Sequence, residues 1–202
     1  GLTMPLITKA DGTKFGKTES GTVWLDPKKT SPYEMYQFLV NAEDAKVVEY
    51  LKRLTFLDKE EIERLEECVK NEPHLREAQK VLGREVVTFL HGSDAYETAL
   101  KITNALFRGN IRELSADEQR DALSSMEKVQ VSEAMDLAST LVSAKIASSK
   151  REAREWIKSG SIQINGEKVQ DETRVIDASS ALVDDMILIK RGKRNYYVLT
   201  FA

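Results

Sequence analysis

The sequence predicts a mainly α-helical protein closed by a small α+β domain. Capped amphipathic segments fill residues 31–124. Asn165-Gly166 then separates two short β-type runs. Near the end, Met186-Ile187-Leu188-Ile189 and Tyr196-Tyr197-Val198-Leu199 flank a basic turn, a second hairpin.

Residues 1–30 read as loop, with a short apolar segment at Thr22-Val23-Trp24-Leu25. Ser31-Pro32-Tyr33-Glu34 opens the first helix: Ser as cap, Pro at the first position, Glu at the third. Asp44 to Leu54 carries Val47, Val48, Leu51 and Leu54 on one face. Asp58 caps a helix with the stripe Ile62, Leu65 and Val69, which Asn71-Glu72-Pro73 ends. A longer helix runs from about His74 to Leu90, with Leu75, Ala78, Leu82, Val86 and Phe89 at helical spacing and Gly92 as its stop. Asp94 and Glu97 open the next, which carries Ala95, Ala99, Ile102 and Leu106 to Gly109, and Ser115 with Glu118 opens a short one. This is a five- or six-helix bundle with short connections and no catalytic constellation.

Residues 125–132 read as a linker, followed by a helix over roughly Glu133 to Ser143. Ser149 and Glu152 open a second helix with sorted faces. Ala153, Trp156 and Ile157 share one side, and Lys150, Arg151, Arg154 and Lys158 share the adjacent one. A merely solvated helix mixes its signs, whereas a sorted basic face suits phosphate. Lys190-Arg191-Gly192-Lys193-Arg194 places four cations in the last hairpin turn. Such a turn also keeps a sheet edge soluble, but beside a basic helix it reads as RNA phosphate binding.

The 202 residues allow one large or two small domains. A hydrophobic fraction of 41% is enough for a core, although 31% of residues are charged. No apolar run reaches membrane-spanning length and no secretory signal is visible. The single cysteine, Cys68, excludes an intramolecular disulfide framework and reads as a core or boundary residue, so a reducing, cytoplasmic location is expected. Net charge is −3, divided as −4 over residues 1–132 and +1 beyond, so the whole chain is not a basic nucleic-acid binder; the C-terminal part is close to neutral, but its basic residues are clustered. Gly1-Leu2-Thr3-Met4-Pro5-Leu6 reads as the middle of a domain, and a fragment of a longer chain is expected.

The chemistry-bearing motif is Lys14-Phe15-Gly16-Lys17-Thr18, in a polar loop with glycines at 12, 16 and 21. Most such loops do nothing, yet two lysines three apart in a flexible loop suit a transient polyphosphate grip. It is not a Walker loop, because Gly12 to Gly16 is one residue too short. Lys14 and Lys17 are expected to be exposed and mobile.

The order of lysine loop, helical bundle and basic α+β domain resembles the C-terminal half of bacterial tyrosyl-tRNA synthetases across essentially all of residues 1–202. "LTMPLITKADGTKFGKTESG" resembles that family's form of the class I signature loop, and "VWLDPKKTSPYEMYQF" the entry to its helical anticodon-binding domain. "SSKREAREWIKSGSIQINGEKVQD" with "KRGKRNYYVL" resembles its RNA-binding domain, of the type of small ribosomal subunit protein four. The resemblance implies four parts: residues 1–30 as the end of a catalytic domain, 31–124 as the anticodon-binding bundle, 125–132 as linker, and 133–202 as the RNA-binding domain.

The reaction it implies activates tyrosine with ATP, magnesium accompanying the ATP, and passes the tyrosyl group to tRNA(Tyr). By resemblance, Lys14 and Lys17 are the catalytic clamp on the departing pyrophosphate, with Lys17 and Thr18 contacting ATP or pyrophosphate. RNA contacts would fall on Lys150, Arg151, Arg154 and Lys158 of the helix and on Lys190, Arg191, Lys193 and Arg194 of the hairpin. Close relatives begin this turn with Arg-Arg; Lys190 keeps the charge but not a guanidinium fork.

The family's His-x-Gly-His-like motif has no match, since His74 and His91 stand in His74-Leu75-Arg76-Glu77 and His91-Gly92-Ser93-Asp94. The nucleotide-binding fold, tyrosine pocket and homodimer surface are therefore expected upstream of Gly1. A monomeric fragment follows, inactive alone and without bound cofactor, metal site or membrane contact. The alternative is a standalone non-catalytic RNA-binding adaptor.

Overall fold

The computed structural model describes every residue except Leu2, Met4, Glu19, Ser20, Ser125, Lys193, Arg194 and Ala202, together with the side chain of Thr18. Two compact units result, Gly1–Leu100 and Lys101–Ala202.

The first unit opens with two nested turns. Lys9 N–H donates to Thr13 O and Phe15 N–H to Ile7 O, closing a small hairpin around Asp11-Gly12. The two-residue strands β1 (Lys17–Thr18) and β2 (Gly21–Thr22) then pair antiparallel. Helix α1 (Pro32–Val40) starts at the expected capping box: Ser31 Oγ accepts from Glu34 N–H, and the Glu34 carboxylate accepts from Ser31 N–H. Helix α2 (Asp44–Leu54) buries Val47, Tyr50 and Leu51; Val48 is only partly buried. Helix α3 (Lys59–Asn71) is capped by Asp58, whose carboxylate accepts from Glu61 N–H.

Helix α4 (Glu77–His91) starts later than expected, after a 3-10 turn at Pro73–Leu75 that contains His74. Arg76 causes the break. It sits at φ 53° and sends its guanidinium back to Val40 O and Ala42 O, capping the chain after α1. The stripe also differs from the expected one: Val81, Leu82 and Val87 are buried, while Leu75 and Phe89 are exposed. Gly83 lies inside α4, where glycine costs up to about 1 kcal/mol relative to alanine. The Tyr36 ring of α1 occupies that space, 2.8 Å from where a Cβ would stand. Burial pushes the Tyr36 hydroxyl up to about 12, with Tyr96 adding to the shift.

Helix α5 (Ser93–Arg108) begins one residue before the expected cap, so Asp94 lies in its first turn instead of capping it, and the helix passes from the first unit into the second. In the second unit, α6 (Ala116–Ser124) is opened by the expected pair, Ser115 Oγ accepting from Glu118 N–H and Glu118 Oε2 from Ser115 N–H. The expected linker contains a strand, β3 (Lys128–Val131), pairing parallel with the final strand. Its ladder partner lies some seventy residues on, so no local signal marked it. Strand β4 (Met135–Asp136) precedes α7 (Leu137–Ser143), which begins after the expected Glu133 because Asp136 is its cap, accepting from Ser139 N–H. Helix α8 (Lys150–Lys158) is capped by Ser149, as expected.

Strands β5 (Ile162–Ile164) and β6 (Glu167–Lys168) form the Asn165-Gly166 hairpin, both turn residues at positive φ. Strand β7 (Val175–Ile176) pairs with β4. Strands β8 (Met186–Arg191) and β9 (Asn195–Phe201) complete a sheet of order β3-β9-β8-β5-β6. Leu137, Leu141 and Ile157 of the helices pack on Ile162, Ile187 and Leu199 of the sheet. Thus helices come first and a helix-covered sheet last, as the sequence predicts. Among the described residues no helix is long and apolar enough to cross a membrane.

Candidate nucleotide and RNA interfaces

The lysine loop is a built hairpin rather than a free coil. Lys14 and Lys17 are exposed. Lys14 is bridged to Thr8, and Lys17 Nζ donates to Thr22 Oγ1 at 2.8 Å. Gly16, at φ 84°, turns the chain between them, and Thr18 pairs with Gly21. Phe15 points the other way: its ring stands 5.0 Å from that of Phe38 and 4.4 Å from that of Tyr50. The loop therefore offers two ammonium groups at the ends of the Phe15-Gly16 turn, whose Phe15 is packed against helices. Two such groups are suited to charge that develops on a polyphosphate.

The second site is the basic face of α8. Ala153 and Ile157 are buried and Trp156 partly buried, so the apolar face packs inward as expected. Lys150, Arg151, Arg154 and Lys158 are all exposed. Arg151 pairs with Glu155 and Arg154 with Glu172, each at 3.4 Å. Exposed pairs of this kind contribute only about 0–1 kcal/mol, so phosphate can displace them.

Of the four cations expected in the last turn, Lys190 and Arg191 are described. Lys193 and Arg194 lie outside the described residues. Lys190 and Arg191 belong to β8 itself, opposite Tyr196 and Asn195 of β9. Consecutive strand residues point to opposite faces. Arg191 turns toward α8, its guanidinium 4.5 Å over the Trp156 ring, and one N–H donates to Ile146 O. It joins the basic helix through that stacking.

Lys190 turns away and is 6% exposed. Its ammonium donates to Leu106 O at 3.2 Å and Phe107 O at 3.3 Å, the last-turn carbonyls of α5. Tyr196 adds a hydroxyl donated to Leu106 O, and its ring lies 5.1 Å from the ammonium. Helix C-termini leave carbonyls without partners and carry partial negative charge, which offsets the cost of burying a cation. Lys190 is thus a helix cap supplied by a strand, and not the surface cation the sequence suggested. Gly166 lies beside the same helix end, where the Gly109 carbonyl occupies the space a Cβ would need. Arg120 pairs with Asp184, and Arg112 with Glu167.

The role of Phe15 was not read from the sequence. The signal was present as one aromatic residue inside an otherwise polar loop. Among the described residues no cluster of His, Cys, Asp and Glu is arranged to hold a metal ion.

Comparison with known proteins gives two family matches. Residues 1–108 match "tRNA synthetases class I (W and Y)", and residues 118–199 match the "Tyrosine--tRNA ligase SYY-like C-terminal domain". The whole chain is 49% identical to a curated tyrosine–tRNA ligase of Staphylococcus carnosus, covering 48% of that protein. It is 50% identical to that of Bacillus pumilus, again covering 48%. The chain therefore spans about half the length of the curated relatives it matches. Among solved structures, a C-terminally truncated mitochondrial tyrosyl-tRNA synthetase of Coccidioides posadasii aligns with 50% of this chain and 26% of its own, at 42% identity and TM-score 0.43. A tyrosyl-tRNA synthetase C-terminal domain aligns with 48% of this chain and 98% of its own, at 37% identity and TM-score 0.38.

Proposed function

The chain belongs to the class I tRNA synthetases (W and Y), and we propose that it is the C-terminal part of a tyrosine–tRNA ligase. The whole protein then activates tyrosine with ATP, magnesium accompanying the nucleotide, and transfers it to tRNA(Tyr). Lys14 and Lys17 hold the departing pyrophosphate as its charge builds, with Thr18 beside them, an interaction stronger in the transition state than in the ground state. Residues 31–124 serve as the anticodon-binding bundle. The sheet domain, with Lys150, Arg151, Arg154, Lys158 and Arg191, grips the RNA backbone, and Lys193 and Arg194 join that set. Lys190 holds the sheet to α5 instead.

The tyrosine pocket, most of the ATP site and the homodimer surface belong to the half of the relatives that this chain does not match, and the protein works in the cytoplasm. The observation that most supports this reading is the exposure of both lysines on a tethered hairpin ahead of the helices. The test is tyrosine-dependent ATP–pyrophosphate exchange. The full-length protein is expected to catalyse it and residues 1–202 alone are not. Exchange by residues 1–202 alone, or none by the full-length protein, contradicts the assignment.

A further inference from the structure

We infer that Phe15 is a positioning residue: seated between Phe38 of α1 and Tyr50 of α2, it lets the helical domain set the geometry of Lys14 and Lys17. The inference rests on the proposed pyrophosphate-clamp role of those lysines. Four ties run from the loop region to the helices. Phe15 packs against both rings at 5.0 and 4.4 Å. Tyr50 donates its hydroxyl to Thr8 O at 2.9 Å. Ala10 N–H donates to Glu43 Oε2 at 3.1 Å, on the residue that precedes α2. Arg53, in the last turn of α2, donates to Pro5 O at 3.3 Å.

These ties lie on both arms of the Asp11-Gly12 turn, so the hairpin is held as a body. Phe15 N–H is also bonded to Ile7 O, which joins the seated ring to the opposite arm. Lys14 and Lys17 flank the seated residue and remain exposed. A shift of the Phe38–Tyr50 slot moves both ammonium groups together, because the short turn that joins them, closed by Lys17 N–H donating to Lys14 O, is anchored through Phe15. Placement errors of about 1 Å remote from the chemistry reduce rates by up to about 100-fold. The helices that carry the slot are those assigned to anticodon binding, so the slot is a mechanical link between that domain and the clamp.

The test uses the full-length protein and pyrophosphate exchange. Phe38→Ala is expected to lower kcat on the order of 10- to 100-fold while the KM for tyrosine stays unchanged. Adding Lys17→Ala to Phe38→Ala is expected to cost much less than Lys17→Ala costs in the wild type, because both act through the same group. Phe38→Leu and Tyr50→Phe keep the interior filled and are expected to show the same kcat loss in smaller degree, which guards against simple unfolding. Hydrogen exchange at residues 12–17 is expected to quicken in Phe38→Ala. Fully multiplicative effects of the two substitutions, or unchanged hydrogen exchange in that loop, overturn the positioning role. An inactive wild-type protein whose loop exchange still quickens in Phe38→Ala supports the tether and overturns the function reading instead.

Discussion

Two cationic regions of this molecule look alike in sequence and differ in structure. Lys14 and Lys17 stand three residues apart at the two ends of the Phe15-Gly16 turn, and both reach solvent. Lys190 and Arg191 are adjacent, and the strand sends one into a helix-capping role and the other onto a tryptophan. Charge spacing alone did not separate the cases; the backbone beneath the charges did. A hairpin turn can present neighbouring cations together, whereas a strand divides them between its faces.

The largest effect is expected at the lysine loop. In the full-length protein, Lys14→Ala or Lys17→Ala should lower kcat for pyrophosphate exchange on the order of 10²- to 10³-fold, with tRNA affinity unchanged. An equal loss of tRNA affinity would merge the two regions into one RNA surface and break the contrast. Next comes the basic face. Arg151→Gln, Arg154→Gln and Arg191→Gln together should weaken tRNA binding and flatten its salt dependence, by up to about 0.9 in log–log slope per phosphate contact removed. Unchanged slopes would show that these exposed arginines do not meet phosphate.

Most helix starts were legible where a side chain announces them, although α5 begins at Ser93 and not at the Asp94–Glu97 pair. Ser31 with Glu34, Asp58 with Glu61, Ser115 with Glu118 and Ser149 with Glu152 all cap as expected. So was the Asn165-Gly166 turn, whose two positive φ values few other residues tolerate. What escaped was non-local. Strand β3 is defined by a partner at the far end of the chain, and the start of α4 by Arg76 reaching back to carbonyls after α1. At the candidate sites, the exposed lysines were legible from a polar loop. The burial of Lys190 was not, because it depends on α5 ending beside β8.

A smaller effect should follow from Lys190→Met. Removing the ammonium takes one donor from Leu106 O, which keeps the Tyr196 hydroxyl, and one from Phe107 O. The expected cost is about 1–3 kcal/mol of stability in the second unit, measured by denaturant unfolding. No loss of stability would mean that the cap is idle.

The smallest effect is with pH. Asp184 is held below its ordinary 3.8 by hydrogen bonds from Arg120, and Glu118 below its ordinary 4.5 by Lys101 and the Ser115 N–H. Carboxylates depressed in the folded state contribute stability that is complete above their unfolded pKa and is lost as pH falls through the folded one. Thermal unfolding should therefore be insensitive to these groups above pH 4.5 and should shift to lower temperature below pH 3.8. The single changes Arg120→Gln and Lys101→Gln should each shrink that acid-sensitive part.

The division of neighbouring cations between opposite faces is tested most directly by the salt dependence of tRNA(Tyr) binding to full-length Lys190→Met and Arg191→Met proteins. Arg191→Met should reduce the slope of log affinity against log salt by about 1, and Lys190→Met should leave the wild-type slope in place. Equal reductions in the two would contradict the account, because they would put Lys190 on the RNA.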